Sequence, residues 1–254
     1  MPWKPLQKQP KILNSMNFGI IAAGEGSRLA GEGVSLPKPL VRIDGMPMIG
    51  RLISIFENCG ARRICVIVNE QMTEVADYVR SLQSESRAEI VLVVKSTPSS
   101  MHSFYELGKH LRGQGRFVVT TVDTIFHPGD FAGYIKAFAE APGDISGMMA
   151  VTRHIDDEKP LYVATGPDMR IETFCDEYRP GIEYVSGGIY GLDTDALDVL
   201  DDCFARGVSR MRNYQRMMIE AGLRLEAYDM GKIIDVDHAG DIEKAQLMLN
   251  EKNG

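Results

Sequence analysis

Apolar positions along the chain fall into short unbroken runs separated by amphipathic segments. Phe18 to Ala23 is fully apolar and ends in a glycine-rich turn, which predicts a buried strand entering a loop. Ile49, Leu52, Ile53, Phe56 and Cys59 recur at helical spacing after Pro47 and stop at Gly60, which predicts a helix with one buried face. Arg62 to Asn69 reads as the next strand, Thr73 to Leu82 as a helix capped by Thr73, and Glu89 to Val94 as a third strand. Because these strands are apolar throughout rather than alternating, they predict a parallel sheet covered on both faces.

The second half continues the alternation. A polar loop from Lys95 leads into a helix ending at Leu111, and Arg116 to Val122 forms a strand with Asp123 directly after it. Phe131 to Ala139 reads as helix, Gly147 to Thr152 as strand, and Leu161 to Ala164 with Met169 to Phe174 as a hairpin around Gly166-Pro167-Asp168. Val185 to Leu192 and Arg224 to Asp229 read as strands; Asp195 to Phe204, Arg212 to Ala221 and Glu243 to Asn250 read as helices. No repeat, linker or low-complexity stretch divides residues 16–254, which are read as one domain. Residues 1–15 are basic and lack an apolar signal-peptide core. Two readings stay open there: an N-terminal arm, or translation starting at Met16.

The chemistry concentrates in Phe18–Leu40. A strand entering Gly24-Glu25-Gly26-Ser27-Arg28 turns several backbone N–H groups in one direction, an arrangement that suits phosphate. Arg28 and Lys38 add two positive charges nearby. The loop is not a G-x-x-x-x-G-K-[ST] phosphate loop, and Leu29 stands where a dinucleotide fingerprint needs its third glycine. An anionic, phosphate-bearing ligand follows. The net charge of −7 disfavours general nucleic-acid or anionic-membrane binding, so the phosphate site must be a local positive patch. Asp123 sits where an open α/β sheet places its ligands, beyond the carboxyl end of a strand. Cys59, Cys65, Cys175 and Cys203 fit no zinc spacing and read as buried free thiols of a reducing, cytoplasmic compartment. No stretch is long enough to cross a membrane as a helix.

Ala22, Ala23, Gly24, Gly26 and Arg28, followed by Pro37-Lys38-Pro39-Leu40, resemble the signature of the sugar-phosphate nucleotidyltransferases, which molybdopterin-type nucleotidyltransferases and phosphocholine cytidylyltransferases partly share. The resemblance implies a Rossmann-like three-layer α/β/α fold with a mostly parallel central sheet and a small β insertion over the acceptor site. It implies an NTP and a sugar-1-phosphate, or a similar phosphomonoester, as partners, with Mg²⁺ as cofactor and pyrophosphate as a product. Arg28 and Lys38 would be catalytic, and Ala22, Ala23, Gly24, Gly26, Ser27 and Ser103 would bind nucleotide. Ser99 or Ser100 could replace Ser103 beside the base. Asp123 and Asp235 would hold the metal, with Asp237 in reserve.

The match has gaps. Asp123 follows Val122 where relatives carry glycine, and His238-Ala239 replace Thr-Pro in the closing motif. Relatives carry Glu-Lys-Pro after the hairpin; here Arg179 stands near the place of that Lys, so Gly188 and Arg179 are the acceptor candidates. Tyr162, Tyr178, Tyr184 and Tyr190 could form an aromatic pocket for a cationic acceptor such as phosphocholine. A non-catalytic nucleotide-binding regulator of the same fold, a pterin-phosphate acceptor, a plain interaction domain and a homo-oligomer all stay open at this level.

Overall fold

The computed structural model describes residues 16–251; the arm assigned to residues 1–15 lies outside them. Strands β1 (Met16–Ala22), β4 (Ala61–Val68), β5 (Glu89–Val94) and β6 (Phe117–Thr121) run parallel in the order β6-β1-β4-β5. Between β1 and β4 lie a short helix α1 (Ser27–Gly31), a tight turn of β2 (Arg42–Ile43) and β3 (Met46–Pro47), and helix α2 (Met48–Asn58). Helix α3 (Thr73–Gln83) follows β4, and α4 (Ser100–Leu111) links β5 back to β6 on the far side of β1. The strand order therefore reverses between β1 and β6, the kind of crevice in which open α/β sheets bind ligands.

Side chains of β1 alternate between two cores, as strand geometry requires. Phe18, Ile20 and Ala22 pack with Leu52 and Phe56 of α2 and Val75 of α3, whereas Ile21 joins Met101, Phe104 and Leu107 of α4. The three stacked rings of Phe18, Phe56 and Phe131 mark the centre of the first core, with Phe18 and Phe56 at 4.4 Å. Phe131 belongs to α5 (Pro128–Glu140), which follows the short strand β7 (Thr124–Ile125). These observations establish the three-layer arrangement with parallel strands at its centre. One expectation changes: Met72, not Thr73, is the N-cap of α3, and no side chain caps it.

The second half supplies the antiparallel part of the mostly parallel sheet. Strand β8 (Gly147–Thr152), hairpin β9 (Tyr162–Thr165) and β10 (Ile171–Cys175), and β11 (Tyr184–Leu192) join the same sheet, with β11 antiparallel to β6, β8 and β9. The hairpin thus extends the central sheet. Helices α6 (Asp195–Ala205) and α7 (Met211–Glu220) cover the α4 face. Strand β12 (Leu225–Asp229) pairs parallel to β8, and β13 (Ile234–Asp235) pairs with β7 before α8 (Ala239–Asn250) closes the described residues. Cys59, Cys65, Cys175 and Cys203 are free and buried, as expected. Among the described residues no helix is long and apolar enough to cross a membrane.

Candidate active site

Four loops at the carboxyl ends of β1, β4, β5 and β6 enclose a cleft of about 620 Å³. Ala23, Gly24, Gly26, Ser27, Arg28 and Lys38 line one side of it; Asn69, Gln71, Thr97 and Ser103 line the other; Asp123 lies at its base. Ala22 is buried beneath the loop and does not reach the cleft surface. Gly26 adopts a φ of 65° and a Cβ there would lie 2.8 Å from the Lys38 Cβ. Only glycine meets both conditions, so the loop can close down onto the lysine stem.

Lys38 is the centre of the site's electrostatics. Its side chain is 10% exposed and its Nζ lies 2.5 Å from Asp123 Oδ2 and 2.6 Å from Asp237 Oδ1. Burial alone would depress the ammonium, but these two carboxylates outweigh it and hold its pKa above the ordinary value. Burial likewise opposes ionisation of Asp123, and Lys38 overrides it, holding that carboxyl below its ordinary value. Arg28 reaches across with Nη1 2.8 Å from Asp237 Oδ2.

Asp123 and Asp235 come together because β13 pairs antiparallel with β7, matching Asp235 to Thr124, while Val236 N–H donates to the Asp123 carbonyl. Asp235 opens onto a smaller cavity beside the cleft, yet its enclosure by protein and then the neighbouring Asp123 charge push its carboxyl up to about 8. It has no cationic partner among the described residues, since Lys38 is engaged by Asp123 and Asp237. Two adjacent carboxylates short of one counter-cation fit a hard divalent metal. Among the described residues no three His, Cys, Asp or Glu side chains are placed to hold a metal ion together, so the remaining ligands would be phosphate oxygens and water, as Mg²⁺ commonly takes.

A second cavity of about 320 Å³ adjoins the first and contains Asp235, Ser186, Gly187, His154 and Lys244. Neither of the acceptor candidates, Gly188 and Arg179, lines it. Arg179 is exposed in the turn after β10 and lines neither cavity. The loop before the hairpin, from His154 to Pro160, lines the cavity in place of the segment after it. Of the glycine pair, Gly187 lines the cavity, whereas Gly188 turns inward at a break in the β8–β11 register with φ 71°. A Cβ at Gly188 would lie 2.8 Å from Thr124 Oγ1 and 3.2 Å from Thr121 Oγ1, the hydroxyls flanking Asp123. Gly188→Ala is therefore expected to cost roughly 1–3 kcal/mol of stability and to lower turnover by displacing Asp123. Thermal denaturation checks the first and steady-state kinetics the second; a wild-type melting point would contradict the packing argument.

Tyr162 and Tyr178 meet edge to face at 5.8 Å, but none of the four tyrosines lines either cavity. Tyr190 is buried and Tyr178 exposed, while Tyr184 receives the Arg153 guanidinium 4.8 Å from its ring centroid. Asn69, Gln71 and Thr97 were not legible as site residues, because loop polar residues carry no spacing signal. Asn69 accepts from Gln71 N–H at 2.9 Å and from the Ser96 hydroxyl at 3.0 Å, tying the loops after β4 and β5 together. Ser103, buried in the first turn of α4, bonds to the Thr97 hydroxyl at 2.6 Å and lines the cleft beside it.

His238 acts as a latch. Its Nδ1 lies 2.6 Å from Glu32 Oε1, while Ala239 N–H donates to Glu32 Oε2 at 2.6 Å, so the helix carrying Arg28 is fastened to the start of α8. The Glu32 bond holds the imidazole above its ordinary value of 6.5, and His238 holds Glu32 below its ordinary 4.5. The histidine contribution is full below 6.5 and is lost as pH rises through the raised folded value; the glutamate contribution is full above 4.5 and is lost as pH falls through the lowered one. His238→Gln is expected to flatten the alkaline side of the melting-point profile; an unchanged profile would contradict the latch.

The family model described as the MobA-like NTP transferase domain matches residues 19–177. The bifunctional protein GlmU of Neisseria meningitidis serogroup B (strain MC58) is 28% identical over 94% of this chain and 55% of its own length. The chain spans about half the length, or less, of the curated relatives it matches. Among solved structures, a putative glucose-1-phosphate thymidylyltransferase from Bacillus anthracis superposes with a TM-score of 0.79 at 21% identity, covering 94% of this chain and 97% of that one. The inositol-1-phosphate CTP transferase from T. maritima gives 0.75 at 17% identity, covering 94% and 98%.

Proposed function

The chain belongs to the MobA-like NTP transferase domain family, and on that footing we propose that residues 16–254 form one catalytic domain for nucleotidyl transfer. An oxygen of a phosphomonoester acceptor attacks the α-phosphorus of an NTP; the bond from the α-phosphorus to the bridging oxygen breaks, and pyrophosphate leaves with its electron pair. The observation that supports this best is the convergence of Arg28, Lys38, Asp123 and Asp235 where the two cavities meet. The nucleophile is already an anion, so the reaction asks mainly for charge neutralisation and in-line placement.

Ala23, Gly24, Gly26 and Ser27 line the triphosphate side of the larger cleft, and Arg28 meets the departing β- and γ-phosphates. Lys38 neutralises charge at the α-phosphate. Ser103, with Thr97 and Gln71 as neighbours, forms the wall against the base. Asp123 and Asp235 would hold Mg²⁺, which when bound supplies charge neutralisation on the phosphate oxygens. The smaller cavity takes the acceptor.

A sugar-1-phosphate or phosphorylated polyol is the preferred acceptor class. None of the four tyrosines lines either cavity, which speaks against a phosphocholine cage; chains of similar fold carry names for glucose-1-phosphate, inositol-1-phosphate and phosphocholine substrates alike, so the cavity lining carries this choice. The test is pyrophosphate release with Mg²⁺, using the common NTPs and dTTP against sugar-1-phosphates, inositol-1-phosphate and phosphocholine. Release that requires one NTP and one acceptor supports the transferase and names both substrates. NTP-dependent thermal stabilisation without release from any pair would instead favour a regulatory nucleotide binder.

A further inference from the structure

Asp237 lies between the two cations of the site. Its two carboxylate oxygens are divided between two cations from separate segments, Oδ1 on Lys38 Nζ at 2.6 Å and Oδ2 on Arg28 Nη1 at 2.8 Å. Two oxygens of one phosphate group would engage the same two cations in the same way. The carboxylate is also presented from a fixed position. Asp241 Oδ2 accepts from the backbone N–H of Asp237 at 3.2 Å and of His238 at 2.8 Å, and Glu32 fastens the next residue to α1.

The pair's location gives it a second consequence. Arg28 and Asp237 are the two residues that line both cavities. Their ion pair is thus a partition between the larger cleft and the smaller one. In-line transfer requires the acceptor oxygen and the α-phosphorus to meet across that boundary. Arg28 is 55% exposed and on a five-residue helix, so it can swing at little cost, whereas Lys38 is nearly buried and stays.

Resting on the nucleotidyltransferase reading of the cleft, we propose that Asp237 is an internal stand-in for the triphosphate: it holds Arg28 and Lys38 in the empty site, and phosphate oxygens take Arg28 from it, opening the partition between the two cavities. Asp237 is a positioning residue in this scheme. It keeps the cations assembled before the substrate arrives and competes with the substrate for them.

The competition can be read without metal or turnover. Inorganic tripolyphosphate, titrated calorimetrically in EDTA, probes the cations and needs no knowledge of the base. Asp237→Asn is expected to bind it roughly tenfold more tightly than wild type or better, the scale of one charge-assisted hydrogen bond no longer contested. Glu158→Gln neutralises a carboxylate of the smaller cavity that contacts neither cation, and is expected to change the affinity far less. A carboxylate serving solely as a metal ligand would leave the EDTA affinity unchanged, and that result overturns the proposal; so does an equal gain in Glu158→Gln, which would reduce the effect to general charge. Should Asp237→Asn fail to fold, a crystal structure of the wild-type protein with tripolyphosphate decides: Arg28 parted from Asp237 and on phosphate oxygens supports the exchange, while an intact Arg28–Asp237 pair beside bound polyphosphate overturns it. Failure of the wild-type protein to bind tripolyphosphate at all would fall on the nucleotide-site reading itself and take the exchange with it.

Discussion

Lys38→Ala is expected to lower turnover by more than ~100-fold, the scale on which loss of one fixed charge at a transition-state oxygen acts. The side chain is 10% exposed and sits between Asp123 and Asp237 at 2.5 and 2.6 Å, so nothing nearby can replace it. Its removal leaves Asp123, Asp235 and Asp237 facing one another with Arg28 as the remaining cation. That excess of negative charge repels a triphosphate, so KM for the NTP rises as kcat falls. Lys38→Arg is not a rescue, because the glycine at position 26 already touches the lysine stem, and a planar guanidinium does not fit a point-charge site between two carboxylates. Steady-state kinetics on folded variant check the claim; a rate near wild type would sink the role given to Lys38.

The parts of this site legible in the sequence are those fixed by local geometry. Gly26 must be glycine because the loop closes onto Lys38, and that necessity is written into residues 24–38 themselves. Asp123 could be placed from the strand that precedes it, since ligand crevices lie at strand ends. Asp235 needed the resemblance, because its approach to Asp123 depends on β7 pairing with β13, two strands of two residues each. Elements so short have no periodicity to read. The same limit explains Gly188 and Arg179. A glycine pair announces a bulge, but which glycine faces the cavity depends on a register shift between β8 and β11, and a one-residue shift reverses the faces. Arg179 was placed by analogy of sequence position, whereas the cavity is lined by a loop from the other side of the hairpin.

The direction of β11 was hidden for a related reason. Strand β11 is apolar because both its faces are covered, by Tyr134 and Phe138 of α5 at Gly191 and by the α4–α6–α7 layer on the other side. Burial on both faces yields a continuous apolar run whatever the strand's direction. The run of β11 therefore reported its coverage and not its direction, whereas the turn at Gly166-Pro167-Asp168 did announce the antiparallel pair β9–β10. The larger cleft depends little on that direction, because apart from Asp237 it is lined from the parallel strands β1, β4, β5 and β6 and the loops after them.

Asp123→Ala is expected to lose turnover on the same scale, more than ~100-fold, while leaving the fold less disturbed than the deletion of a partly buried carboxylate would suggest. Two effects oppose each other. Lys38 loses one of its two partners, which costs on the order of 1–3 kcal/mol for a charge-assisted bond, but it keeps Asp237. Asp235 loses the neighbouring charge that helps to push its carboxyl up to about 8, so its value falls toward the ordinary range. In the wild-type protein without metal, the native state binds that proton more tightly than the unfolded chain does. Stability therefore declines as pH rises from the ordinary 3.8 through about 8. Mg²⁺ must displace the same proton, so its apparent affinity increases over that window. In Asp123→Ala both trends are expected to shift to lower pH, and the metal, left with one carboxylate, to bind more weakly at saturating pH. Melting points across pH in EDTA and Mg²⁺ titrations on wild type and variant separate the contributions. A variant that loses activity yet keeps the wild-type pH profile in EDTA would mean that Asp123 and Asp235 do not share a field, and the paired-carboxylate metal site would have to be abandoned.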